Sequence, residues 1–118
     1  MKIHKHKTGE GHIAEVESEG IVINSAEDAL NLLGNMYYQG IEKIILHQKN
    51  ITNEFFKLKN GMAGEILQKF SNYRMRLAIV GDFTKYDSKS LNDFIRESNK
   101  NRHINFVGSL DDALSVLN

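Results

Sequence analysis

The amino-acid sequence predicts one α/β domain, residues 1–118, folded as a sandwich around a mixed sheet with parallel central strands. Three compact apolar segments predict buried strands: "KIILH" (43–47), "RLAIVGDF" (76–83) and "INFVG" (104–108). Stretches with helical spacing separate these segments, and strands that alternate with helices imply right-handed crossovers and parallel pairing. A chain of 118 residues is long enough for a single core and hardly for two.

Two further strands are predicted before the first helix. The short, polar segment "KIHKHK" (2–7) is typical of an edge strand. The segment "HIAEVES" (12–18) alternates, with alanine and valine on one face and two glutamates on the other, which predicts a half-buried strand. "GIVI" (20–23) is interpreted as a strand end or an extended connection. The predicted element order is therefore β-β-α-β-α-β-α-β-α.

The first helix is predicted from Ser25 to Gly40. Ser25 with Asp28 three residues on resembles a capping box, and a glycine is well placed to end a helix. One helical stripe predicts the buried face, and its members are Ala26, Ala29, Leu30, Leu33, Met36 and Tyr37.

Three more helices fill the gaps between the later strands. The second carries the stripe Phe55, Leu58, Met62, Ile66, Phe70 and Tyr73. A turn or kink is predicted within it at Asn60-Gly61. Ser88 or Asp87 caps the third helix, which carries Leu91, Phe94, Ile95 and Ser98. Ser109 with Asp112 forms a second capping box for the last helix.

Composition narrows the class of protein. Fifteen basic residues balance fifteen acidic ones, so the chain is not expected to have the overall positive electrostatic field that attracts nucleic acids. No apolar run approaches the roughly 20 residues of a membrane span, and the chain starts without a signal-peptide pattern, so we expect a cytoplasmic protein. The absence of cysteine excludes disulfides and zinc-thiolate sites.

Residues 51–83 and 88–114 carry a resemblance to a known family. Their most specific elements are Gly61-x-x-Gly64-Glu65, "LAIVGDF" and "FIRESN…RHINFV". With these elements the chain resembles the bacterial family catalogued as domain of unknown function 4180, which implies no established activity. The element order is also similar to that of the STAS domain of anti-sigma-factor antagonists and their SpoIIAA-like relatives. This likeness implies a non-enzymatic interaction module.

The STAS resemblance directs attention to the start of the second helix. STAS domains carry a switch Ser or Thr there, and a phosphate on it changes partner binding through its charge. The matching position is Asn60, which has no hydroxyl. We therefore expect a regulatory or protein-interaction module without a phosphorylatable switch residue. Its predicted partner surface contains Thr52, Phe56, Lys59, Asn60 and Glu65. The partner is an unidentified protein or a second copy, which the edge strand at 2–7 would pair with.

The alternative hypothesis is a small-molecule binder or a minor enzyme at the C-terminal ends of the strands, where open parallel sheets usually bind ligands. Asp82 follows a buried strand and is the best single candidate, although the same carboxylate also suits a cap for its own loop. The other members of this predicted site are polar His47 and Ser88, with Phe83 and Tyr86 as walls. Catalytic motifs are lacking, because the chain has no Gly-x-Ser-x-Gly elbow, no Gly-x-Gly-x-x-Gly fingerprint and no Walker lysine.

Metal and cofactor sites are not predicted. His4, His6 and His12 are spaced so that a strand brings two of them onto one face. Histidines on a polar edge strand are usually only exposed, and the sequence indicates no third ligand. We therefore expect neither a metal nor a cofactor.

Overall fold

The structure is a computed structural model that describes residues 1–9 and 11–118. Within these residues it has five strands, in the sheet order β1-β2-β3-β4-β5, and four α-helices. The strands are β1 (Lys2–Thr8), β2 (Gly11–Glu17), β3 (Lys43–His47), β4 (Arg76–Val80) and β5 (Ile104–Val107). The helices are α1 (Ala26–Tyr38), α2 (Met62–Asn72), α3 (Lys89–Asn101) and α4 (Leu110–Leu117). β1 runs antiparallel to β2, and the remaining neighbours are parallel. The predicted α/β class and element order are confirmed.

The helices cover the two faces of the sheet unequally. Sequential parallel strands with crossovers of one hand place their connecting helices on the same face. α1, α2 and α3 accordingly share one large core with that face of the sheet. α4 follows the last strand, lies on the opposite face, and packs mainly against β4 and β5. Its Ala113 and Leu117 form a second, smaller core with Ile13, Ile45 and Ala78.

The helix starts follow the predicted capping chemistry. The hydroxyls of Ser25, Ser88 and Ser109 each accept a hydrogen bond from the backbone N–H three residues on, at 3.1–3.2 Å. Each bond satisfies one of the N–H groups that the first helical turn leaves without a partner. Gly40 follows α1 with a φ of +76°, a left-handed conformation that suits glycine and ends the helix.

The predicted buried stripe of α1 was wrong at two positions. Leu30 and Tyr37 are exposed, at 40% and 65%, whereas Leu32 is buried. At about 100° per residue, Leu30 and Tyr37 project to one side of the stripe centred on Ala29 and Met36. The ring of Tyr37 instead meets the edge of Tyr73, with 5.6 Å between centroids.

The second predicted helix begins later than its stripe suggested. Residues 53–56 and 58–60 form two short 3₁₀ turns, and α2 starts only at Met62. Gly61 has a φ of +76°, so the chain cannot continue as one helix through it. The Asn60 side-chain oxygen then accepts the Met62 N–H at 2.9 Å. The predicted turn at Asn60-Gly61 is confirmed.

The segment that follows β2 is an extended connection rather than a full strand. Ile23 is buried and forms a single parallel bridge with Ile51. In the part of the chain that the structure describes, no helix has the length and apolar character to cross a membrane.

Candidate functional site

The C-terminal ends of β2, β3, β4 and β5 meet at one edge of the sheet, called the rim below, because these strands are parallel. Gln48, which follows β3, connects the rim segments. Its side-chain oxygen accepts the Asp82 N–H at 3.0 Å, and its amide donates to the Tyr86 hydroxyl at 2.8 Å. Gly81 makes room for it: a Cβ added there would lie 2.3 Å from the Gln48 side-chain oxygen. The sequence predicts Asp82 and Tyr86 at this edge but does not indicate that Gln48 connects them.

Asp82 caps its own turn. One carboxylate oxygen accepts the Thr84 N–H at 3.1 Å and the Thr84 hydroxyl at 2.5 Å. These two hydrogen bonds lower the pKa of Asp82 below its ordinary value. The exposed Asp82 carboxylate therefore caps its own loop, which is the second of the two roles that the sequence suggests for it. Ser88, predicted beside it, caps α3 through the Leu91 N–H.

The aromatic side chains near the rim form one connected group. Phe56 stacks on Tyr86 with 5.1 Å between centroids, and Phe83 bridges from Phe56 to Phe106. Phe56, a member of the predicted partner surface, is buried, with only 4% of its surface exposed. The 3₁₀ turn at 53–56 directs its ring inward, where aromatic stacking and apolar burial stabilise it.

A shallow depression opens beside this aromatic group. It has a volume of about 410 Å³ and is lined by Asn53, Phe56, Lys57, Lys85 and Tyr86. The Lys85 ammonium lies 5.4 Å from the centroid of the Tyr86 ring, a cation–π distance. The depression thus joins one residue of the predicted partner surface, Phe56, to one of the predicted ligand site, Tyr86. The two lysines were not predicted, and no sequence pattern pairs positions so far apart in the chain.

The loop before α2 is held by its own hydrogen bonds. The Asn60 side-chain amide donates to the Glu54 carbonyl at 2.8 Å and to its carboxylate at 3.3 Å. Lys57 pairs with the same carboxylate at 3.2 Å. Thr52 caps the first 3₁₀ turn through the Glu54 N–H. Of the predicted partner surface, Lys59, Asn60 and Glu65 are exposed and Thr52 is half-buried.

His47 does not join Asp82. Its side chain lies on the other face of the sheet, the face on which Ile13 and Ile45 pack against α4. Its Nε2 lies 2.7 Å from one carboxylate oxygen of Glu15, and His6 Nε2 lies 2.8 Å from the other. Next to them His4 meets Glu17 at 3.1 Å. These five residues are called the His–Glu cluster. Side chains alternate between the two faces of a strand, so a spacing of two residues places His4 with His6 and Glu15 with Glu17 on one face. This spacing is the sequence signal for the cluster.

Electrostatics mark Glu15 as the centre of the cluster. Its side chain is only 12% exposed. Burial by itself raises the pKa of Glu15, but the hydrogen bonds to His47 and His6 outweigh it, so the pKa of Glu15 lies below its usual value. His12 lies on the opposite face from His4 and His6, since it pairs with Lys7. Among the described residues, no group of three or more His, Cys, Asp or Glu side chains is placed to hold a metal ion.

A family model described as "Domain of unknown function (DUF4180)" matches residues 8–117, which is most of the chain. The chain belongs to the DUF4180 family. This DUF4180 chain has no significant match among the curated proteins or the solved structures that it was compared with. The match confirms the predicted resemblance to this family. The resemblance to STAS domains stays a prediction.

Proposed function

We propose that this DUF4180 chain is a non-enzymatic regulatory module that binds a partner protein at the rim depression. One observation carries the proposal: the half-buried ring of Tyr86, stacked on the buried ring of Phe56, forms an apolar floor between two exposed lysines, Lys57 and Lys85. An apolar partner side chain flanked by carboxylates complements this arrangement, because the floor removes it from water and the ammonium groups attract the acids.

Internal pairing of the polar rim groups supports binding rather than catalysis. Asp82 accepts two bonds from Thr84, Gln48 joins Asp82 to Tyr86, and Ser88 caps a helix. A general acid or base needs to reach a substrate proton, and a nucleophile needs an adjacent base. The groups at the depression have neither arrangement.

The fixed conformation of the loop before α2 supports the same proposal. Bonds among Glu54, Lys57 and Asn60 fix the conformation that presents the depression. A preformed surface loses less conformational entropy on binding than a flexible one does. Asn60 at the STAS-like switch position has no hydroxyl, so we propose that phosphate on this residue does not control the interaction.

Site-specific crosslinking in the host cell tests the proposal. A photo-crosslinking side chain at Asn53, on the depression, is expected to give a discrete adduct with one partner. The same group at Gln68, exposed on α2, is the matched control and gives none. Equal adducts from both positions contradict the proposal.

Binding of the purified partner to charge-reversal variants then tests whether the contact lies at the rim depression. Lys85→Glu is expected to weaken binding about tenfold or more, since a like charge replaces attraction. Lys59→Glu is the matched control, because Lys59 is an exposed lysine that does not line the depression. The proposal fails if Lys59→Glu weakens binding as much as Lys85→Glu.

A second candidate is a small-molecule site at the His–Glu cluster, favoured by the carboxylate of Glu15 between two imidazoles. Pockets with perturbed carboxylates and several polar groups are common ligand sites. NMR signals of the histidine rings and of the backbone amides, recorded against a library of small polar molecules, test it. A hit that shifts His6 and His47, and that disappears in Glu15→Gln, supports this candidate. Shifts confined to the signals of residues at the rim depression contradict it.

A further inference from the structure

The two edges of the sheet differ. At the β5 edge, the Asn99 side chain donates to the Phe106 carbonyl at 3.2 Å and accepts the Phe106 N–H at 2.7 Å. One amide side chain thereby satisfies both backbone groups of a central residue in a four-residue strand. Asn99 closes this edge to another strand.

The β1 edge is open and longer. β1 has seven residues and pairs with β2 along its whole length, from Lys2 opposite Glu17 to Thr8 opposite Gly11. Alternate residues of an outer strand direct their backbone N–H and C=O groups away from the sheet. Among the described residues, no other strand pairs with the outer side of β1. These outward groups are a template for one more strand.

The charge of β1 has a single sign. Lys2, Lys5 and Lys7 are exposed, and the strand has no acidic residue. The neighbouring glutamates of β2 are bound to the histidines of β1. Among the described residues, no carboxylate lies within ion-pair distance of the three lysine ammonium groups. The edge therefore presents positive charge together with open backbone groups.

We infer that β1 binds an extended acidic segment of a partner protein as a sixth strand of the sheet. Backbone hydrogen bonds would supply the pairing, as in other cases where a peptide adds to a sheet edge. Lys5 and Lys7 lie two residues apart and so project from the same face of the strand. The matching segment therefore carries carboxylates at every second position.

A second copy of this chain fits the edge less well. Two β1 strands side by side would bring Lys5 and Lys7 of both copies, four lysines, onto one face, and like charges on neighbouring strands destabilise pairing. Lysines on an edge strand are also a common means of preventing self-association. The charge pattern thus selects an acidic partner over a homodimer.

The edge is held ready for such a strand. His6 contacts Glu15 at 2.8 Å and His4 contacts Glu17 at 3.1 Å, so side chains as well as the backbone fix β1 to β2. Binding then orders only the incoming segment, which lowers the entropy loss. This site lies apart from the rim depression and is independent of the function proposed there.

Synthetic peptides test the inference on the full chain. The probe is a fluorescent peptide as long as β1 that alternates Glu and Thr, and its control has Lys in place of Glu. We expect the Glu peptide to bind at least tenfold more tightly and to slow hydrogen exchange at alternate amides of β1. Equal binding of the two peptides, or no change at β1, overturns the inference.

Two modifications separate strand addition from simple charge attraction. N-methylation of one alternate set of peptide amides is expected to abolish binding, while the other set has no effect. Lys5→Glu with Lys7→Glu is expected to reverse the preference to the Lys peptide. Lys85→Glu, at the rim depression, leaves peptide binding unchanged. Binding that survives both methylated sets, or a concentration-dependent dimer that Lys5→Glu abolishes, rejects the acidic strand as the occupant.

Discussion

Glu15 and His47, on neighbouring parallel strands, are joined by a 2.7 Å hydrogen bond. The second carboxylate oxygen of Glu15 bonds to His6 on the other side, at 2.8 Å. One largely buried carboxylate therefore ties three strands together on the face of the sheet that carries α4. This arrangement gives the hairpin of β1 and β2 a side-chain connection to β3 in addition to the backbone ladder.

Replacement of that carboxylate tests its contribution to stability. Glu15→Gln keeps the shape but removes the charge, and its amide nitrogen is a donor where an imidazole N–H needs an acceptor. We expect a loss of about 1–3 kcal/mol in the free energy of unfolding, measured with a chemical denaturant. Glu19→Gln, at an exposed glutamate near the same strand, is the control and changes stability little. Equal losses in the two variants contradict the assigned role.

The same group predicts a dependence of stability on pH. The pKa of Glu15 is lower in the folded chain than its ordinary value of 4.5, so the folded state binds the proton less readily than the unfolded state does. The contribution of Glu15 is therefore complete above that ordinary value and is lost as the pH falls through the lower folded pKa. Unfolding free energies of wild type and Glu15→Gln, measured from about pH 7 to about pH 3, are expected to converge in acid. A difference that stays constant down to the lowest pH contradicts the assignment.

Gly81 is predicted to be the glycine of the rim that least tolerates a side chain. An added Cβ would lie 2.3 Å from the Gln48 side-chain oxygen and 2.6 Å from its Cβ, so Gln48 has to move. Its bonds to Asp82 and Tyr86 are then lost, and we expect Gly81→Ala to reduce stability by about 1–3 kcal/mol in thermal or chemical unfolding.

Gly108 is the matched control for that substitution, because it follows the neighbouring strand β5 and a Cβ there meets no atom within 4 Å. We expect Gly108→Ala to be nearly neutral. If the two alanine variants unfold alike, Gln48 is not the constraint on this turn.

Local signals account for the parts of the fold that the sequence predicted well. The strands at 43–47 and 76–80 are short apolar runs that need two covered faces, and both lie inside the sheet. A serine cap accepts an N–H only three residues away, so the helix starts at Ser25 and Ser109 can be predicted without knowledge of the tertiary structure.

Pairings between distant segments account for what the sequence did not predict. Glu15 and His47 are 32 residues apart, and only the register of β2 against β3 brings them together. Phe56 falls outside the helical stripe predicted through Phe55. The 3₁₀ turn that directs its ring inward is capped by Thr52 and does not continue into α2, because the chain breaks at Gly61. In an irregular loop, side-chain direction does not repeat with a fixed period, so the sequence pattern does not predict which side chains are buried.

Asn60 is predicted to be a structural residue of the loop before α2. Its side chain accepts the Met62 N–H at 2.9 Å and donates to the Glu54 carbonyl at 2.8 Å, so it satisfies the first N–H of α2 and closes the loop at the same time. Asn60→Ala removes these bonds, and we expect a loss of about 0.5–2 kcal/mol, the range for one or two side-chain hydrogen bonds. Hydrogen exchange should accelerate at the amides of residues 54–62 and remain unchanged in the central strands. Lys59→Ala, at the exposed neighbour, is the control and leaves these rates unchanged. An Asn60→Ala variant with wild-type exchange across this loop shows that Gly61 alone determines where α2 begins.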